Sequence, residues 1–199
     1  PITITPDALG WFYEHINHIR TEHHMSPIDI LSLIRQVPDY PKEGILFYDI
    51  TTALENPEGL RAIMKGFIDQ YRDQKIDKVI GTEARGFIFA PTLAYELGAG
   101  FVPVRKPNKL PSVTIGVNYA LEYGTDRLEI HADAIKPGER VLIVDDLLAT
   151  GGTAHAVTQL VTQLGGETMG FAFLLELDGL GGRDKLAGFD IFSMMTVPA

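Results

Sequence analysis

The chain has 199 residues, 45% of them hydrophobic, no cysteine and a formal net charge of -9. That length and apolar share suit one domain with a buried core, and the missing cysteines exclude disulfides, thiolate metal sites and a cysteine nucleophile together. The acidic balance argues against a nucleic-acid binder, which needs a basic field, and no apolar run approaches the roughly 20 residues that span a bilayer.

Residues 1–25 stand apart as an N-terminal extension. They hold four of the six histidines (His15, His18, His23, His24) and the only tryptophan. His15 and His18 share a helical spacing, which a packed amphipathic helix explains better than a metal site. Asp7, Glu14 and Glu22 argue against an organellar transit peptide, so a soluble, cytoplasmic protein is expected. The main domain is expected over 26–199. Ser26-Pro27 suits a helix start, and Ile28, Leu31 and Ile34 to Val37 continue at helical spacing until Pro38 and Pro41. Gly44 to Asp49 predicts a short strand. Asn56-Pro57 opens a helix with Leu60, Ile63, Met64, Phe67, Ile68 and Tyr71 on one face.

Lys78 to Gly81 predicts a buried strand, Thr82 to Gly86 a turn, and 87–97 a helix closed by Gly98 and Gly100. Phe101 to Val104 is the next strand. Strand, helix, strand with short connections is a βαβ unit, which implies parallel pairing. Residues 105–124, with Pro107, Pro111, Gly116 and Gly124, predict a long non-helical loop, the kind that acts as a lid. Residues 127–131 alternate as a strand does, Pro137-Gly138 makes a turn, and Val141 to Val144 is apolar enough to be buried on both faces. A helix over 153–164 and strands over 167–177 and 189–197 complete the pattern. The fold class is therefore α/β, a largely parallel open sheet of about five strands flanked by helices.

The run Val141-Leu-Ile-Val-Asp-Asp-Leu-Leu-Ala-Thr-Gly-Gly-Thr153 carries the chemistry. An apolar strand delivers two carboxylates to its C-terminal edge, where ligands bind in open α/β sheets. Ala149, Thr150, Gly151, Gly152 and Thr153 then lead into a helix N-terminus. Two glycines let backbone N–H groups approach a ligand, and the helix end adds free donors and partial positive charge. The result is an anion cradle suited to phosphate. No Gly-Lys-Ser/Thr occurs, so this is not the lysine-bearing P-loop. Phosphate beside two acids makes sense when a neutral group separates them, as in a ribose 5-phosphate whose hydroxyls meet Asp145 and Asp146. Those acids also suit a divalent hard cation. Glu83, Ala84 and Arg85, and the cations Arg105, Lys106 and Lys109, offer charge and backbone donors for a diphosphate.

The thirteen-residue run resembles the phosphoribosyl pyrophosphate (PRPP) signature of type I phosphoribosyltransferases. Gly81 to Ala90, Gly100 to Pro111, Leu121-Glu-Tyr-Gly124 and Leu128-Glu-Ile-His131 further resemble the adenine phosphoribosyltransferases, over about residues 26–197. The resemblance implies the type I fold with a small hood, from 26–50 and 177–199, and a flexible catalytic loop over 105–124. It implies transfer of the 5-phosphoribosyl group from PRPP to adenine, giving AMP and pyrophosphate in purine salvage. Glu122 is implied as general acid/base with Tyr123 beside it, and Leu46, Phe47, Tyr48 and Leu177 as the adenine site. The family usually has arginine where this sequence has Tyr48. Mg2+ is expected to be held mainly by the substrate, with Asp145 as its protein contact. A homodimer is also implied. The open rivals are a phosphoribosyltransferase for another base, a PRPP-sensing regulator and an unrelated nucleotide-binding protein.

Overall fold

Asn56 caps the helix Pro57–Tyr71 as its place before a proline predicts. Its side-chain oxygen accepts from the Glu58 and Gly59 N–H groups at 2.9 and 3.0 Å. The computed structural model describes residues 28–120 and 125–199. The 1–25 extension, Ser26-Pro27, Glu122 and Tyr123 lie outside the described residues.

In chain order the elements are α1 (Ile30–Leu33), β1 (Arg35–Val37), β2 (Phe47–Asp49), α2 (Thr51–Glu55), α3 (Pro57–Tyr71), β3 (Lys78–Thr82), α4 (Gly86–Leu97), β4 (Gly100–Val104), β5 (Thr114–Ala120), β6 (Thr125–His131), β7 (Arg140–Leu148), α5 (Gly152–Gln163), β8 (Glu167–Asp178), α6 (Gly182–Lys185) and β9 (Ile191–Pro198). The main sheet runs β4-β3-β7-β8-β9, and all four pairings are parallel. Two antiparallel pairs, β1-β2 and β5-β6, flank it.

Alternation along the strands fills both faces of the sheet. Leu142 and Val144 of β7 and Ala172 and Leu174 of β8 join the core beneath α3 and α4, with Ile63, Phe67, Phe89 and Leu93. Val141, Ile143, Phe171 and Phe173 point the other way, toward α5 and the β5-β6 hairpin, with Val157, Leu160, Leu128 and Ile130. The two helices that follow β3 and β7 thus cover opposite faces. The strand order reverses between β3 and β7, which is where an open α/β sheet leaves a crevice at its carboxyl ends.

Three expectations need correction. The helix expected through Val37 stops at Leu33, because Arg35–Val37 pairs with Phe47–Asp49; backbone pairing outweighs a short apolar periodicity that suits either element. Leu60 lies off the buried face of α3 and is 37% exposed. Within 105–124, Thr114–Ala120 forms β5, paired with β6 through Ala120↔Thr125.

One ion pair links the sheet to the short helix α6. Arg183 donates to both oxygens of Glu176, at 2.7 and 2.6 Å, and Glu176 is 7% exposed. Hydrogen bonding from Arg183 holds the Glu176 carboxyl below its ordinary value of 4.5. A depressed acid contributes stability that is present above its unfolded value and lost as the pH falls through its folded value. Arg183→Met should therefore cost about 1–3 kcal/mol at pH 7. Urea unfolding at pH 7 and pH 3 should show that difference shrinking at the acid end. An equal loss at both pH values would mean the pair is not its source.

Candidate functional site

β7 is longer than its apolar core. It pairs with β3 only as far as Gly81↔Val144, but with β8 as far as Leu148↔Glu176. Asp145 and Asp146, expected at the strand's C-terminal edge, therefore lie inside the longer strand and beyond the last β3 pair. On that open side the chain after β3 turns away through Glu83, Ala84 and Arg85 into α4. Gly86 allows this turn to sit close: a Cβ there would stand 2.6 Å from the Val144 carbonyl oxygen.

A cavity of about 260 Å³ opens between the two strand ends. Glu83, Ala84 and Arg85 form one wall, Asp145 and Asp146 the floor, and Ala149 to Thr153 the far end; Lys106 closes the side. Tyr119, Leu128 and Phe173 also line it and were missed in the sequence. Tyr119 was hidden in a stretch read as loop, although Ile115, Val117 and Tyr119 alternate. Leu128 and Phe173 are strand residues that sequence alone assigns only to the core.

Glycine builds the bend expected to cradle a phosphate. Gly151 has φ +74 and occupies the N-cap of α5, with no side-chain cap on that helix. The first N–H groups of α5 have no partner within the helix, and no side chain competes for them. Behind the loop, a Cβ at Gly151 would stand 2.8 Å from the Gly182 carbonyl oxygen, and one at Gly182 would stand 2.2 Å from the Ala149 carbonyl oxygen. α6, pinned by Arg183, thus buttresses the loop. Gly151→Ala should cost about 1–3 kcal/mol through strain at positive φ. It should also weaken PRPP binding about tenfold, the scale of one misaligned charge-assisted hydrogen bond. A thermal melt and a calorimetric titration check both; unchanged affinity would dismiss the loop as the anion site.

The acids and cations of the site pair with one another. Arg85 Nε lies 2.8 Å from Asp146 Oδ2, and Asp146 is 5% exposed. Burial raises the Asp146 carboxyl, and Arg85 opposes that rise. Asp145 is pushed up further, by burial first and then by the charge of Asp146. Arg105 forks onto Glu83 at 3.2 and 3.0 Å, and the Lys106 N–H donates to the same carboxylate at 2.9 Å. The Arg105 hydrogen bonds hold Glu83 below the usual carboxylate range. Arg105 also donates to the Lys109 carbonyl at 3.2 Å. Of the three cations of this loop, Lys106 lines the cavity, and Arg105 and Lys109 are not part of its lining.

Phe47 sits beside this cleft. The Arg85 guanidinium lies 5.9 Å from its ring centre, and Phe47 lines a second hollow with Val37, Tyr40 and Asp49. Leu46, just before β2, is half-buried. Tyr48 packs against the core, and its hydroxyl donates to the Pro198 carbonyl at 3.4 Å, joining β2 to β9. Leu177 pairs with Val197 and packs against the same core cluster; it does not line the main cavity. Among the described residues no group of three or more His, Cys, Asp or Glu side chains could cage a metal. The adjacent carboxylates of Asp145 and Asp146 fit a cation carried chiefly by a substrate's own oxygens.

A family model for the phosphoribosyl transferase domain matches residues 50–189. The adenine phosphoribosyltransferase of Solibacter usitatus is 61% identical over 167 residues, 84% of this chain and 96% of its own. The crystal structure of adenine phosphoribosyltransferase from Thermoanaerobacter pseudethanolicus superposes with a TM-score of 0.83 at 49% identity, covering 86% of this chain and 100% of that one. The Saccharomyces cerevisiae enzyme, complexed with an imino-altritol bisphosphate and adenine, gives 0.79 at 42%, over 83% of this chain and 96% of that one.

Proposed function

The chain belongs to the adenine phosphoribosyltransferase family, and from that premise we propose that it joins adenine to PRPP, forming AMP and pyrophosphate, in the cleft between β3 and β7. The observation that carries this reading is the single cavity shared by the Ala149 to Thr153 loop, the Asp145-Asp146 pair and the Glu83 to Arg85 turn. These three features match the phosphate, the ribose and the diphosphate of one substrate.

The cavity supports the phosphate, ribose and diphosphate roles, and the family resemblance implies those at the base. Backbone N–H groups at the start of α5 hold the 5-phosphate, helped by the hydroxyls of Thr150 and Thr153. Asp145 and Asp146 accept from the ribose hydroxyls. Arg85 and Lys106 meet the departing diphosphate, with Ala84 offering its backbone; Arg105, oriented by Glu83, and Lys109 add positive field behind them. Asp145 would be the protein contact for a Mg2+ carried in by PRPP, which would supply positive charge to offset that of the leaving group. Phe47 stacks on the adenine ring, Leu46 and Tyr48 read its edge through the main chain, and Leu177 caps the ring from the hood. Glu122, with Tyr123 beside it, manages the purine proton as general acid/base.

The active form is a homodimer of the cytoplasm on this reading. Ile88 and Tyr95, seven residues apart on α4, and Phe101 on the edge strand β4 are 41%, 83% and 38% exposed, an apolar surface suited to burial against a second copy. Among the described residues no helix is long and apolar enough to cross a membrane. The direct test mixes the protein with Mg2+, PRPP and a panel of bases. AMP from adenine, with no product from hypoxanthine, guanine or orotate, is expected; a product from another base alone would replace adenine as the acceptor.

A further inference from the structure

Lys106 faces the cavity, yet its ammonium is already paired with Asp126, a residue that does not line the cavity. Asp126 is the register partner of Tyr119 across the β5-β6 hairpin. Both of its oxygens are held: the Tyr119 hydroxyl donates to Oδ2 at 3.3 Å and the Arg127 N–H donates to Oδ1 at 2.7 Å. A negative charge is therefore fixed directly behind a cation that the diphosphate must meet. A site built only to bind diphosphate tightly would have no use for that acid.

Two opposed effects decide what Asp126 does. It orders a flexible lysine, which helps binding. It also repels every negative charge of the diphosphate and offsets the pull of Lys106. Ordering concerns the rotamers of one side chain, whereas the repulsion acts on a group carrying several charges, so the repulsion is the larger effect. We propose that Asp126 is a positioning residue that holds Lys106 at the cavity wall while weakening its grip, so that pyrophosphate leaves after transfer. This rests on the reading of the cleft as the phosphoribosyl-transfer site.

Product inhibition by pyrophosphate tests it, with the KM for adenine measured alongside. Asp126→Asn should lower the Ki for pyrophosphate roughly threefold to fivefold, the scale of a partly exposed ion pair, and leave the adenine KM unchanged. Asp126→Glu should restore the wild-type Ki. In a Lys106→Met background, Asp126→Asn should still lower the Ki, but by less, because only the direct repulsion of the diphosphate is then relieved. Should the amide variant melt early, Asp126→Ser removes the same charge and must show the same fall. A Ki that stays put or rises in the folded variants, or a fall undiminished without Lys106, overturns the proposal. AMP formation by the wild-type enzyme tests the underlying reading separately, since it does not depend on Asp126.

Discussion

Replacing Arg85 with alanine is expected to lower kcat/KM for PRPP by about 10²–10³-fold, the usual scale for removing one preorganised electrostatic contact to developing charge. Three roles end together. Arg85 lines the cavity at the proposed diphosphate position. It holds Asp146, which is almost wholly buried and whose carboxyl Arg85 keeps from rising further. It also lies over the ring of Phe47, which ties the leaving-group wall to the proposed base site. Without Arg85, Asp146 would bind a proton at higher pH, and its value as an acceptor for ribose hydroxyls would fall. Arg85→Lys should recover only part of the loss, because a point charge cannot contact carboxylate, ring and diphosphate at once. Steady-state kinetics with PRPP varied, run beside a thermal melt, separates this effect from unfolding. Wild-type kcat/KM in the alanine variant would remove Arg85 from the mechanism.

Glu122→Ala should lower kcat by about 10²–10⁴-fold, the span typical of a lost general acid/base, while PRPP still binds. The chemistry requires some such group. Adenine must shed a proton as its nitrogen bonds to the anomeric carbon, and in the reverse direction the leaving purine must regain one. The acids on the cavity floor are committed elsewhere, Asp146 to Arg85 and Asp145 to the backbone of Asp146. Glu122 lies outside the described residues, but Tyr119, three positions earlier in the sequence, lines the cavity. Calorimetry for PRPP and turnover for adenine, measured on the same preparation, give the two halves of the expectation. Full turnover in the variant would assign the proton to another group.

The parts of the site that were legible share one property: they are contiguous in sequence. From 141 to 153 an apolar run, two acids and a pair of glycines appear in order, and each has a local physical meaning. The parallel strands were legible for the same reason, since Val141 to Val144 and Phe171 to Leu174 are apolar enough to be buried on both faces. What could not be read were pairings between distant residues. Nothing in the sequence joins Arg85 to Asp146, or Arg105 to Glu83, 22 positions away. Those pairs set Arg105 against Glu83, outside the cavity lining. β5 was a different kind of miss. Thr114 to Ala120 alternates as a strand should, but the prolines at 107 and 111 and the glycines at 116 and 124 favoured a loop, and its pairing partner lies across residues 121–124.

The near-contact of Gly151 and Gly182 has a practical corollary for anyone engineering the molecule. The bend from Gly179 to Gly188 includes an exposed leucine, Leu180, and would ordinarily attract a grafted epitope or a circular-permutation break. Here that bend props the anion loop from behind, with less than one side chain of clearance. An insert placed there would be transmitted to the Ala149 to Thr153 loop, so peptide tags belong away from both α6 and the β4 edge.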